Sequence, residues 1–165
     1  GIPNKNLVLL GGVPLIVHSI RAALAASSIT RTVVSTDSAA IAAVASRAGA
    51  EVPFRRPAKL ATDSATTADV VIHAIKTLEQ NSPVPDIIVV LQPTSPLRVA
   101  ADIDGAVELL HSTGAPSIVS ISEVDHPVDW LFRLGARGRL TPLVISPPAT
   151  RRQEAKKAYR LNGAV

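Results

Sequence analysis

A chain of 165 residues, 47% of them apolar and none of them cysteine, can bury one core of its own and excludes disulfides, thiolate nucleophiles and cysteine zinc sites. No apolar run approaches the roughly 20 residues of a membrane helix, so a soluble protein is expected, with the cytoplasm as its default compartment. The net charge of +4 is concentrated late, in residues 133–160, where few aromatics offer base stacking; a small anionic substrate explains it as well as nucleic acid does.

Residues 15–26 carry apolar side chains at helical spacing behind Pro14, a favourable first-turn residue, and predict a helix ended by Ser27 and Ser28. Residues 32–35 form a short β-branched run leading into Ser35-Thr36-Asp37. Asp37-Ser38 then offers an N-cap to an alanine-rich helix over 39–48, closed by Gly49. Residues 51–54 read as brief extended chain, and Arg56-Pro57 opens a polar loop reaching Asp63. Val70, Val71, Ala74, Ile75 and Leu78 predict a helix over 66–78, after which Ser82-Pro83-Val84-Pro85 turns the chain into the run 86–91. Ile87-Ile88-Val89-Val90-Leu91 predicts a central strand, the loop 92–98 follows with two prolines, and a helix is expected over about 101–111. Residues 117–122 supply one more strand.

With Trp130, Tyr159, Phe54 and Phe132 as the aromatics, Val, Ile, Leu and Ala must build the core, the usual filling of a parallel sheet between helices. Alternating strands and helices predict an α/β fold in one domain, with right-handed crossovers and a mostly parallel sheet flanked by helices. Ligands are then expected beyond the carboxyl ends of the strands, where Asp37 and Gln92 lie. From Asp125 onward Pro127, Gly135, Gly138, Pro142, Pro147 and Pro148 break this rhythm ahead of the charged run 151–157, which reads as an excursion from the sheet. No internal repeat is found.

Four polar segments are candidates for chemistry. Gly1-Ile2-Pro3-Asn4-Lys5-Asn6 reads either as an ordinary surface loop or as a loop whose amine and amides hold phosphate or a nucleobase. Asp37 is a helix cap or a ligand contact. Arg55-Arg56-Pro57, with Asp63, Thr66 and Thr67, presents guanidinium groups that are solvated or that fork onto a triphosphate or ribose hydroxyls. The most informative is Leu91-Gln92-Pro93-Thr94-Ser95-Pro96-Leu97-Arg98, because two prolines stiffen a loop directly after a buried strand and fix amide and hydroxyl groups in space.

Taken in order, these segments resemble the acylneuraminate cytidylyltransferases, the CMP-N-acetylneuraminic acid synthetase family. The matching pieces are Gly1 to Asn6, Gly12-Val13-Pro14-Leu15-Ile16, Val34-Ser35-Thr36-Asp37, Arg56-Pro57 through Leu60-Ala61-Thr62-Asp63, Leu91 to Arg98 and Asn162-Gly163-Ala164. The resemblance implies a Rossmann-like nucleotidyltransferase fold and transfer of CMP from CTP to the anomeric hydroxyl of a nine-carbon 2-keto acid sugar, with release of pyrophosphate. It implies catalytic roles for Lys5, Gln92 and Arg152. Nucleotide contacts are implied from Lys5, Asn6, Arg56, Thr67, Pro93, Thr94 and Ser95, and sugar contacts from Gln92, Arg152 and Asn162. A divalent cation, Mg2+ in the first instance, is implied as cofactor, with ligands expected beyond Val165. Residues 125–151 correspond to a small dimerisation excursion, so a homodimer is implied, with no nucleic-acid or membrane partner.

Family members open with a hydrophobic strand and a basic glycine and serine loop ahead of the Gly-Ile-Pro, and continue past the Asn-Gly-Ala. Met is absent from the chain altogether, so the expectation is a domain incomplete at both ends, with an exposed sheet edge and doubtful activity on its own. Two alternatives accompany this reading: a non-catalytic nucleotide-binding or dimeric scaffold homologue, and an enzyme of the same class acting on a legionaminic, pseudaminic or deaminated nonulosonic acid.

Overall fold

The computed structural model describes residues 4–62, 64–81, 83–144 and 157–165. The chain divides into two compact units, Gly1–Val119 with Gly163–Val165, and Ser120–Asn162.

Four helices organise the first unit: α1 (Leu15–Ala25), α2 (Ala39–Arg47), α3 (Thr67–Leu78) and α4 (Ala100–Thr113). Each forms where the apolar period places it. In α1 the buried positions Ile16, Val17, Ser19, Ile20, Ala22 and Ala23 recur at helical spacing, and they serve two clusters. Ile16, Val17 and Ile20 pack with Ala45 of α2, Ala50, Val34 and Val52. Ala22, Ala23 and Ala26 pack around Ile103 of α4, with Val89 and Leu91 against them. The small alanines let α1 and α4 approach closely.

Local chemistry fixes the ends. Ser38 caps α2 by accepting the Ile41 N–H at 3.4 Å. Thr66 accepts the Asp69 N–H at 3.1 Å while Asp69 accepts the Thr66 N–H at 3.2 Å, a reciprocal capping box for α3. Asp102 accepts the Val99 N–H at 2.9 Å at the start of α4. Gly114, at φ +63°, closes that helix by donating to the Leu110 carbonyl.

The α/β class is as expected, and the strands differ from expectation. β1 (Leu9–Leu10) and β2 (Val13–Pro14) form a hairpin whose two-residue turn, Gly11-Gly12, has positive φ at both positions. The runs 32–35 and 51–54 meet in a single parallel bridge, Val33 to Glu51, in which Val34 N–H donates to the Glu51 carbonyl at 2.9 Å and Glu51 N–H to the Thr32 carbonyl at 2.8 Å. The Arg31 guanidinium forks onto the Glu51 carboxylate beside it, at 3.0 and 2.7 Å. Residues 87–91 form no ladder among the described residues. The physical reason is that members of both runs line one cavity, and a backbone bordering open space has no neighbour to pair with there.

In the second unit β3 (Ile121–Glu123) pairs antiparallel with β6 (Tyr159–Leu161), and β4 (Phe132–Leu134) with β5 (Leu140–Pro142). The strand expected over 117–122 is thus shifted toward β3, and its partner is antiparallel. The β4–β5 turn runs through Arg137 and Gly138, both at positive φ. Phe132, Leu134 and Leu140 are exposed on this hairpin. Residues 145–156, including Arg152 and the end of the 125–151 excursion, lie outside the described residues.

Candidate functional site

The first unit contains a cavity of about 1340 Å³. Its walls combine two chemistries. Val33, Val70, Ile75, Ile87 and Val89 give it an apolar interior, whereas Asn6, Ser35, Thr36, Asp37, Arg56 and Gln92 contribute polar groups from strand ends and loops. Of the nucleotide contacts implied by the sequence, Asn6, Arg56, Thr67 and Pro93 border this one cavity, as does Gln92. Lys5, Thr94 and Ser95 are not among its lining residues; Lys5 is exposed in a 3₁₀ turn, Lys5–Leu7, entered through Asn4 at φ +51°.

Arg56 is held before any ligand arrives. Its backbone N–H donates to the Thr36 carbonyl at 3.0 Å. Its Nε donates to Ser35 Oγ at 3.1 Å and its Nη2 to the Ser35 carbonyl. Arg55 donates to the Asp37 carbonyl, so the arginine loop is stitched to the end of the 32–35 run by both guanidinium groups. Thr36, buried, accepts the Ser38 N–H at 3.1 Å. Ser38, rather than Asp37, is the cap of α2, and Asp37 enters this network through its carbonyl. Fixing a guanidinium on backbone and hydroxyl oxygens leaves its remaining donors aimed in one direction, the arrangement that suits an anionic ligand.

Asn6 is half-buried, and its Oδ1 is buried with no hydrogen-bond partner among the described residues. A buried polar atom left unpaired carries its full desolvation cost, so an acceptor so placed on a cavity wall calls for a donor, from water or from a ligand.

The loop after residues 87–91 is folded back on itself. Ser95 N–H donates to the Gln92 carbonyl at 3.3 Å and Arg98 N–H to the Ser95 carbonyl at 3.3 Å. Arg98 is 6% exposed, and burial pulls its pKa down while Asp102 opposes the shift. Pro93 and Pro96 flank these turns and limit their alternatives.

Asp104 of α4 accepts from Ser28 N and Oγ at 2.8 and 2.6 Å, and from Ser27 N and Oγ at 3.1 Å each. Those bonds, the Ser28 ones foremost, bring its carboxyl from an ordinary 3.8 down to about 2. The cluster ties the end of α1 to α4 beside the cavity. From sequence Ser27 and Ser28 read only as the end of a helix and Asp104 only as part of the helix over 101–111; nothing local joins them, because Ser28 and Asp104 are 76 residues apart.

In the second unit Asn162 accepts from Ser120 Oγ at 2.5 Å, and its Nδ2 donates to Ser122 Oγ at 2.8 Å. Its carboxamide therefore supports the β3–β6 pair. Among the described residues no group of three or more His, Asp or Glu is arranged to hold a metal ion. No helix among them is long and apolar enough to cross a membrane.

A family model described as cytidylyltransferase matches residues 1–134. The chain is 37% identical over 164 residues to the CMP-N,N'-diacetyllegionaminic acid synthase of Legionella pneumophila, covering 99% of this chain and 70% of that protein. It is 34% identical to the N-acylneuraminate cytidylyltransferase of Streptococcus agalactiae, covering all of this chain and 39% of that protein. A pseudaminic acid cytidylyltransferase of Campylobacter jejuni is 30% identical over 99% of this chain and 70% of its own length.

Proposed function

The chain belongs to the cytidylyltransferase family, and from that premise we propose that it transfers CMP from CTP to the anomeric hydroxyl of a nine-carbon 2-keto acid sugar. The sugar is an N-acylneuraminate or a related nonulosonic acid, such as a legionaminic or pseudaminic acid. The sugar oxygen forms a bond to the α-phosphorus as the bond from that phosphorus to the bridging oxygen breaks, and pyrophosphate leaves. Such a transfer depends on positioning and charge neutralisation rather than a covalent nucleophile.

The observation that carries this reading is the shared cavity of Asn6, Arg56, Thr67, Gln92 and Pro93. The unpaired Asn6 amide oxygen matches the exocyclic amine of cytosine. Arg56, held by Ser35, turns its remaining donors to the phosphates, and Thr67 opens α3 alongside. Gln92 faces the sugar, with Thr94 and Ser95 steadying the loop between the two substrates. Lys5 supplies further positive charge at the reacting phosphate, and the family resemblance gives Arg152 and Asn162 contacts to the sugar. The described residues alone do not assemble a centre for Mg2+, so no step is assigned to the cation.

The same reading extends to the frame. Residues 32–35 and 87–91 belong to a mostly parallel, Rossmann-like sheet; the parallel Val33–Glu51 bridge supports this. Residues 125–151 form a homodimer contact, supported by the exposed apolar hairpin β4–β5. The protein is cytoplasmic and engages neither nucleic acid nor membrane. Pyrophosphate release from each of the four nucleoside triphosphates, with each nonulosonic acid in turn, tests the function. CTP alone is expected to serve; turnover of another triphosphate in its place overturns the cytidylyl reading.

A further inference from the structure

Gln92 is held from three directions by groups that no comparison assigns a role. Arg98 donates from Nη2 to the Gln92 carbonyl at 2.7 Å, from Nη1 to Ser19 Oγ at 3.0 Å, and from Nε to the Ala164 carbonyl. Ser19 is itself buried on α1, so the guanidinium fastens the first residue of the loop to a helix and to the returning tail. The tail then closes on the loop directly, because Gln92 N–H donates to the Gly163 carbonyl at 3.4 Å.

Gly163 matters for what it lacks. Its φ is +66°, and a Cβ built there would stand 2.7 Å from both Cδ and Oε1 of Gln92 and 3.0 Å from Nε2. Carbon and amide atoms do not approach so closely, so any side chain at 163 must displace the Gln92 carboxamide by most of an ångström. The bare backbone of Gly163 is therefore the surface against which that carboxamide rests.

We propose that Arg98 and Gly163 are positioning residues that set the Gln92 carboxamide, Arg98 by anchoring its backbone and Gly163 by bounding its side chain, and so tune recognition of the acidic sugar. The proposal rests on the reading of Gln92 as the sugar-facing group. A displacement of this size in a positioning group lowers a rate by up to about 100-fold, whereas it leaves the affinity of a separately bound nucleotide unchanged.

The test is a mutant cycle in the full-length protein, using Gln92→Ala, Gly163→Ala, Arg98→Lys and the double variant Gln92→Ala/Gly163→Ala. It reads pyrophosphate release with the nonulosonic acid that the wild type uses best. Gly163→Ala is expected to lower kcat/KM for the sugar at least tenfold with KM for CTP unchanged, and to cost nothing further once Gln92 is Ala. Arg98→Lys, which keeps the charge and loses the fork, is expected to fall in the same direction. If Gln92→Ala is impaired but Gly163→Ala is harmless, or costs as much in the Gln92→Ala background, positioning is overturned and the Gln92 reading stands. If Gln92→Ala has no effect, the Gln92 reading itself fails and takes the proposal with it. Thermal melting provides a second readout should Gly163→Ala fold poorly: removing the Gln92 side chain is expected to restore part of the lost Tm, and no restoration overturns the contact.

Discussion

Arg56 reaches the cavity with its Nε and one Nη2 bond already given to Ser35, and this pre-commitment separates it from Arg55, whose contact is to the exposed Asp37 carbonyl. Lysine in its place would keep a charge but lose the planar fork that fixes its direction. Arg56→Lys is therefore expected to raise KM for CTP by about tenfold, the equivalent of one lost charge-assisted hydrogen bond, with a smaller change for Arg55→Ala; initial rates with CTP varied will check this. Asn6 makes a complementary prediction. If its buried Oδ1 accepts the cytosine amine, Asn6→Ala weakens CTP more than UTP, whose base presents an acceptor at the same position, and competition binding reads the difference.

At the scale of elements, local chemistry makes separable predictions. Thr66→Ala removes the capping box of α3 and should cost about 1 kcal/mol in chemical denaturation. Ile103→Ala empties the fully buried centre of the α1–α4 packing, at a cost of about 3 kcal/mol. Asp104 gives the pH dependence. Its folded pKa, about 2, lies below the ordinary 3.8, so the unfolded chain binds the proton more readily in that window. The stability it contributes is present above pH 3.8 and is lost as pH falls toward 2. Asp104→Asn should lower Tm at neutral pH and flatten that acid limb, as followed by melting between pH 5 and pH 2.

The helices were legible in the sequence because their signals are local: Pro14 before α1, Asp37-Ser38 before α2, and the apolar spacing of Val70, Val71, Ala74, Ile75 and Leu78 in α3, whereas the Thr66–Asp69 box and Gly114 emerge only from the structure. The strands were less so. A run such as 87–91 has strand composition, yet a ladder needs a neighbour that composition does not name. The β1–β2 hairpin had a readable signal in Gly11-Gly12, in a stretch to which the sequence reading gives no element. In the site, the ordered motifs singled out Gln92 and Arg56, but the anchoring of Arg98 on Ser19 and the bare face of Gly163 depend on contacts 79 residues apart and on a missing Cβ. Neither leaves a trace in periodicity or spacing.

For the whole molecule, the exposed apolar side chains of β4–β5 carry the assembly prediction. Leu134, on this hairpin, is 74% exposed, so replacing it with Glu should not disturb the fold but should dissociate a dimer that uses this face, as sedimentation velocity will read. The central claim is transfer of a cytidylyl group to an acidic nine-carbon sugar, and CTP radiolabelled at its α-phosphate tests it most directly. Incubated with the full-length protein, Mg2+ and N-acylneuraminic, legionaminic and pseudaminic acids in turn, the label should move into a sugar conjugate with at least one of them, in step with pyrophosphate release. A folded protein that binds CTP yet leaves the label in CTP with every one of these sugars would contradict the account.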